Sequence, residues 1–138
     1  MLVENVKKWG KENPRKVILI DAFGALLSAF LLGVFGLRFQ SLFGIPQSAL
    51  YILAALPCLF FLFDLFCYLK RERRYIILGL KAIGIANLMY CCLSVVLLIY
   101  HKGSLTVLGW VYLILELLIV STLAILELQI SKSIFLNK

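Results

Sequence analysis

Four stretches of this chain, residues 17–37, 49–69, 76–100 and 105–127, are apolar over more than twenty residues with few interruptions. At 1.5 Å rise per residue, ~20 such residues cross the ~30 Å hydrocarbon core of a bilayer. Inside hydrocarbon a backbone must satisfy its own hydrogen bonds, so segments of this length can only be helices. The chain is 63% hydrophobic, with a mean hydropathy of +1.02. One water-soluble core cannot hide that much apolar surface, so lipid has to cover part of it. The connections are short: "RFQSLFGIPQS" with turn residues Gly44 and Pro46, "KRERRY", and "HKGS" with Gly103 and an expected helix N-cap at Ser104. Short links make consecutive helices antiparallel neighbours. The expected fold is an all-α integral membrane protein: a single domain over residues 1–138, with four transmembrane helices in an antiparallel up-down bundle. The third helix can begin at Ile76 or only after Lys81.

Lysine and arginine set the expected orientation. Lys7, Lys8, Lys11, Arg15, Lys16, Lys70, Arg71, Arg73, Arg74, Lys81, Lys132 and Lys138 fall on one side, and only Arg38 and Lys102 on the other. Both termini are therefore expected in the cytoplasm. The net charge of +7 reads as a topology signal with a secondary attraction to anionic lipid head groups, not as a nucleic-acid surface. Tyr51, Tyr100, Trp110 and Tyr112 lie near the expected outer ends, and Trp9, Tyr68 and Tyr75 near the inner ends, as interfacial belts require. Tyr90 is the exception, near mid-membrane. Residues 1–13 carry Leu2, Val3, Val6 and Trp9 on one face with lysines opposite, the pattern of a short interfacial helix ended by Asn13 and Pro14. A cleaved signal peptide fits less well, because the first apolar run and its basic lead-in are both long.

The polar residues inside the spans are the candidate site. Counted inward from the cytoplasmic ends, Asp21, Asp64, Lys81 and Glu127 form a shallow polar cluster, ~6–8 Å deep or less at 1.5 Å per residue, with Lys81 as the expected partner of the acids. Glu116 lies eleven residues from Glu127, near mid-membrane, and Asn87 lies at a similar depth on the neighbouring helix, so the two are expected to meet. Glu116 and Glu127 share a helix face to within ~20° at 100° per residue. On the third helix Gly84, Asn87, Cys91, Ser94 and His101 share another. The fourth helix tolerates its acid: fourteen Leu, Ile and Val residues contribute roughly −4 to −8 kcal/mol to insertion, against roughly +2.5 to +3.5 for a charged group at the centre.

Pro57 interrupts the second helix and frees the Leu53 carbonyl for another partner. Ala22, Gly24, Ala25, Ser28, Ala29, Gly33 and Gly36 make the first helix suited to close packing. Cys58, Cys67, Cys91 and Cys92 all fall in apolar runs without a C-x-x-C pair, as small apolar filler does. Arg38 and His101 mark the outer side. No metal-ligand cluster, nucleophile motif or glycine-rich phosphate loop is present in the sequence, so no cofactor is expected.

Three functions fit this pattern. The first by a narrow margin is a non-catalytic accessory, scaffold or lipid-binding module, part of a homo-oligomer or a membrane complex, whose polar residues fix helix packing. The alternative is a small proton- or cation-coupled transporter centred on Glu116 and Asn87, with Ser94 and Cys91 beside them, working as a homo-oligomer. A membrane enzyme acting on lipid comes third, because neither histidines nor acid spacing support it.

Overall fold

In the computed structural model, which describes residues 1–137, the elements are all helices. α1 (Leu2–Glu12) stops at Asn13, at φ −130° and ψ 56°, because proline disfavours helical backbone in the residue before it. Pro14 then opens α2 (Pro14–Phe30), where its missing N–H is no loss. α2 continues into a π-helical segment, Leu31–Gly36. The short α3 (Gln40–Phe43) ends at Gly44, whose φ of 66° suits glycine, and α4 (Gln47–Leu69), α5 (Arg73–Tyr100) and α6 (Val107–Leu136) follow. Four helical stretches, Pro14–Gly36, Gln47–Leu69, Arg73–Tyr100 and Val107–Leu136, are long and apolar enough to cross a membrane.

Of the two starts the sequence allows for the third helix, the structure favours the earlier: α5 starts at Arg73, and Lys81 sits well within it. The limits of α6 differ from expectation. α6 begins after Thr106, whose Oγ1 accepts the Gly109 N–H at 3.2 Å, so Thr106 is the cap in place of Ser104. It then runs on to Leu136, which puts Glu127 inside the helix and not at its end.

The core has two apolar clusters. One joins the start of α2, the end of α4, the start of α5 and the end of α6 through Ile18, Cys67, Leu80 and Ile130. Here Arg15 donates to the Tyr68 carbonyl at 2.8 and 3.2 Å and stacks on the Tyr68 ring, capping the last turn of α4. The Ser131 hydroxyl donates to the Ile77 carbonyl at 3.1 Å and ties α6 to α5. Basic residues surround this cluster in sequence, and we call this the basic end. The other cluster, at the far end, joins Leu32, Leu50, Leu53, Leu98 and Leu113. α5 and α6 pack along most of their length, as do α2 and α4, whereas α2 and α6 barely touch. At the far end, α3 lies against the start of α6. The Thr106 N–H donates to the Phe43 carbonyl at 3.2 Å, and the Thr106 hydroxyl donates to the Leu42 carbonyl.

Gly109 permits that contact, because a Cβ at this position would run into the Phe43 carbonyl. Gly109→Ala should lower stability by ~1–3 kcal/mol, the range for overpacking. Gly103→Ala, where a Cβ would meet nothing within 4 Å, should stay within ~0.5 kcal/mol. Thermal unfolding of both variants in detergent checks the pair.

Candidate functional site

Helical periodicity brings the polar residues inward. On α2 and the first residue of the π-helical segment, Asp21, Gly24, Ser28 and Leu31 recur at three- and four-residue steps, and on α6 Tyr112, Glu116, Ile119 and Leu123 do the same. Both rows line one cavity of about 270 Å³ between these two helices. Asn87 and Tyr90 of α5, with Pro57 and Phe60 of α4, close its back.

At the inner end of the cavity three carboxyls from three helices lie together. Asp21, Asp64 and Glu127 are all buried, Asp64 with 0% exposure and Glu127 with 1%. Asp21 lies within hydrogen-bonding reach of both others. Asn87 Nδ2 donates to Asp21 Oδ1 at 3.0 Å and to Glu127 Oε2 at 3.4 Å. Asn87 thus belongs to the acids of this cluster, not to Glu116 as its sequence depth implied. Asp21 Oδ2, Glu127 Oε1 and both Asp64 oxygens have no donor. Carboxylates only accept hydrogen bonds, so one between two carboxyls forms only when one of them carries a proton. Lys81, the expected partner, is exposed and points away from this interior. Ile18, one turn before Asp21, is 0% exposed and, with Leu80 and Ile130, forms an apolar plug toward the basic end.

Glu116 has a different partner. Tyr90 Oη lies 3.2 Å from Glu116 Oε1 and 3.1 Å from the Leu53 carbonyl oxygen. The Leu53 carbonyl is free because Pro57, four residues on, has no N–H to offer it. The phenol holds one proton and faces two acceptors. With a proton on Glu116, the chain is complete: Glu116 donates to Tyr90 and Tyr90 donates to Leu53. Without it, Tyr90 turns to Glu116 and the Leu53 carbonyl is left unpaired. Across the cavity, Ser28 of α2 is within hydrogen-bonding reach of Glu116.

Ser94 is buried one turn of α5 beyond Tyr90 and within its reach, and Cys91 is buried with its thiol near Glu116. Arg38 is exposed, and His101 is half-buried with its ring edge-on to Tyr100 at 4.8 Å. All four cysteines are free thiols. No group of three or more His, Cys, Asp or Glu among the described residues is placed to hold a metal ion. The residues that sequence reasoning passed over are Tyr90 and Ser28. Two signals pointed at Tyr90: it is the one tyrosine set away from the interfacial belts, and Pro57 left a carbonyl in need of a donor. No protein-family model, characterised protein or solved structure matches the chain.

Tyr90→Phe should lower stability by ~1–3 kcal/mol, since it removes the donor shared by two buried acceptors. In a Pro57→Ala background the same change should cost less, because the restored N–H at position 57 can take the Leu53 carbonyl. A double-mutant cycle of thermal unfolding measures that coupling.

Proposed function

We propose that this chain is a small proton-coupled membrane transporter whose proton-binding groups are the Asp21–Asp64–Glu127 cluster and Glu116. The observation that carries this reading is Asp64. A carboxyl that only fixed packing would have its oxygens bonded, since each unsatisfied buried acceptor costs ~1–3 kcal/mol. Asp64 is fully buried, and no N–H or hydroxyl donor reaches either of its oxygens. Ionisable groups within membrane spans are expensive and tend to mark ion or proton paths. In this reading the three acids share protons: Asp21 is within hydrogen-bonding reach of Asp64 and Glu127, and a contact between two carboxyls needs a proton on one of them.

In this reading the four spans form an antiparallel up-down bundle with both termini in the cytoplasm. α1 lies along the inner interface, its lysines toward anionic head groups. Four helices enclose little space, so a homo-oligomer completes the path. Glu116 takes and releases a proton, and Tyr90 reports the change to α4 by switching between Glu116 and the Leu53 carbonyl beside the Pro57 interruption. That gives the bundle a bistable element driven by one proton.

The accessory or scaffold reading keeps one observation in its favour. Asn87 links α2, α5 and α6, and Tyr90 links α4, α5 and α6, which is how polar residues hold membrane helices together. Asp64 separates the two. Asp64→Leu should raise the unfolding temperature in detergent and abolish proton flux into dye-loaded proteoliposomes under an imposed pH gradient. A lower unfolding temperature with unchanged flux would favour the scaffold. For orientation, a reporter fused after residue 138 should read cytoplasmic, and one placed within residues 102–104 should read external. The opposite result would reverse the assignment, which rests on the lysine and arginine bias.

A further inference from the structure

The cavity between α2 and α6 is not a sealed void. Leu27 of α2 and Leu115 and Ile119 of α6 line its mouth and are 58%, 54% and 62% exposed. These are membrane-spanning helices that scarcely touch each other, so the mouth opens sideways toward lipid. Gly24 on the α2 rim has nothing within 4 Å of where a Cβ would sit, which leaves that side open. The wall is almost wholly apolar, and its charged or ionisable members are Glu116 and Asp21 together with the phenols of Tyr90 and Tyr112. No lysine, arginine or histidine lines it. Phe60, Tyr90 and Tyr112 are the aromatic residues of the same wall, and the Tyr90 hydroxyl reaches Glu116.

We propose that this cleft binds a lipophilic organic cation, a small ammonium with an apolar body, which enters from the bilayer between α2 and α6 and pairs with Glu116. Each part of the cleft selects one part of that occupant. The apolar wall takes the hydrocarbon, the acid takes the charge, and aromatic residues in the wall favour a quaternary ammonium, which a ring attracts through its quadrupole. A lipid acyl chain or a helix of a second copy would fill the apolar wall but leave Glu116 without a counter-charge. An anionic lipid would meet two acids. The volume of about 270 Å³ lies just below the ~300 Å³ lower end of ligand pockets, which suits a compact cation.

This inference rests on the transporter reading for the coupling of cation to proton, and it adds the substrate class. A cation paired with Glu116 needs the carboxylate, so a bound cation and a proton on Glu116 exclude each other. The groups that face Glu116 are Tyr90 and the Cys91 thiol from α5, Ser28 from α2 and, on its own helix, Tyr112. α4 brings only Pro57 and Phe60 to the cavity. No fixed positive charge lines the site to compete with the ligand.

The test uses the full chain in nanodiscs of neutral phosphatidylcholine and equilibrium binding of benzyltrimethylammonium, whose charge does not change with pH. Its neutral carbon isostere, neopentylbenzene, is the control. The expected result is saturable binding that weakens as pH falls, with the isostere weaker by about tenfold or more. Glu116→Gln should lose the preference for the charged form and the pH dependence while keeping the helical content and unfolding temperature of the parent. Gly24→Leu, which fills the rim, should weaken both ligands alike. Equal binding of cation and isostere, no loss in Glu116→Gln, or no binding by a folded protein would overturn the proposal. So would efficient disulfide crosslinking of Gly24→Cys between two copies in a cysteine-free background, because the cleft would then be covered by a second chain. Proton flux measured without any cation separates the two claims. Flux without binding removes only the cation, and binding without flux removes the coupled transport.

Discussion

Asp64 is fully buried with two carboxyl oxygens and no N–H or hydroxyl donor for either, and the neighbouring interior is arranged around that condition. Asp21 and Glu127 come beside it from two other helices, and the single amide of Asn87 divides its donors between them. No lysine or arginine is drawn in, although Lys81 lies only two turns of α5 before Asn87. Two carboxyls can bond each other only where one of them carries a proton. This arrangement also explains why apolar residues such as Ile18, Leu80 and Ile130 are packed so tightly toward the basic end: they keep water from supplying the missing donors.

The second polar group is built by a backbone defect. Pro57 removes one N–H from the α4 ladder, and the orphaned Leu53 carbonyl is met by Tyr90, which also meets Glu116. A phenol with two acceptors and one proton ties the protonation of an acid on α6 to the backbone of α4. Both polar groups border one cavity: Asp21 and Asn87 at its inner end, Glu116 and Tyr112 farther along. The two layers that depth counting keeps apart therefore share a surface. Glu116 and Glu127 are still ~16 Å apart along α6, at 1.5 Å per residue, so direct proton exchange between them needs intermediates.

Much of this was legible in the chain. Segment length and hydropathy specify four helices long and apolar enough to cross a membrane, because a backbone in lipid has no other stable form. The 3.6-residue period places Asp21 with Ser28, and Asn87 with Cys91 and Ser94, on common faces. Pro57 announced an unpaired carbonyl. Residue depth was less legible. Asp21, Lys81 and Glu127 were counted from the ends of apolar runs, whereas α2, α5 and α6 extend beyond those runs through Arg15, Lys16, Arg73, Arg74 and Lys132, all of which remain helical.

What the sequence by itself determined is the set of local facts: which segments are helices, which face of each is polar, and where proline and glycine interrupt the pattern. These follow from covalent geometry and solvent preference, which act over a few residues. Only the tertiary structure decided which polar faces meet. Asn87 chose Asp21 and Glu127 over Glu116, Tyr90 took Glu116, and Lys81 turned outward. Those choices depend on the rotation and axial offset of each helix against its neighbours. Such offsets are set by packing at contacts such as Gly84 against Leu128, where a methyl more would push the helices apart. The gap between α2 and α6 has the same origin. Each of those helices satisfies its tightest packing with a different partner, α4 and α5, and the space left over is the cleft.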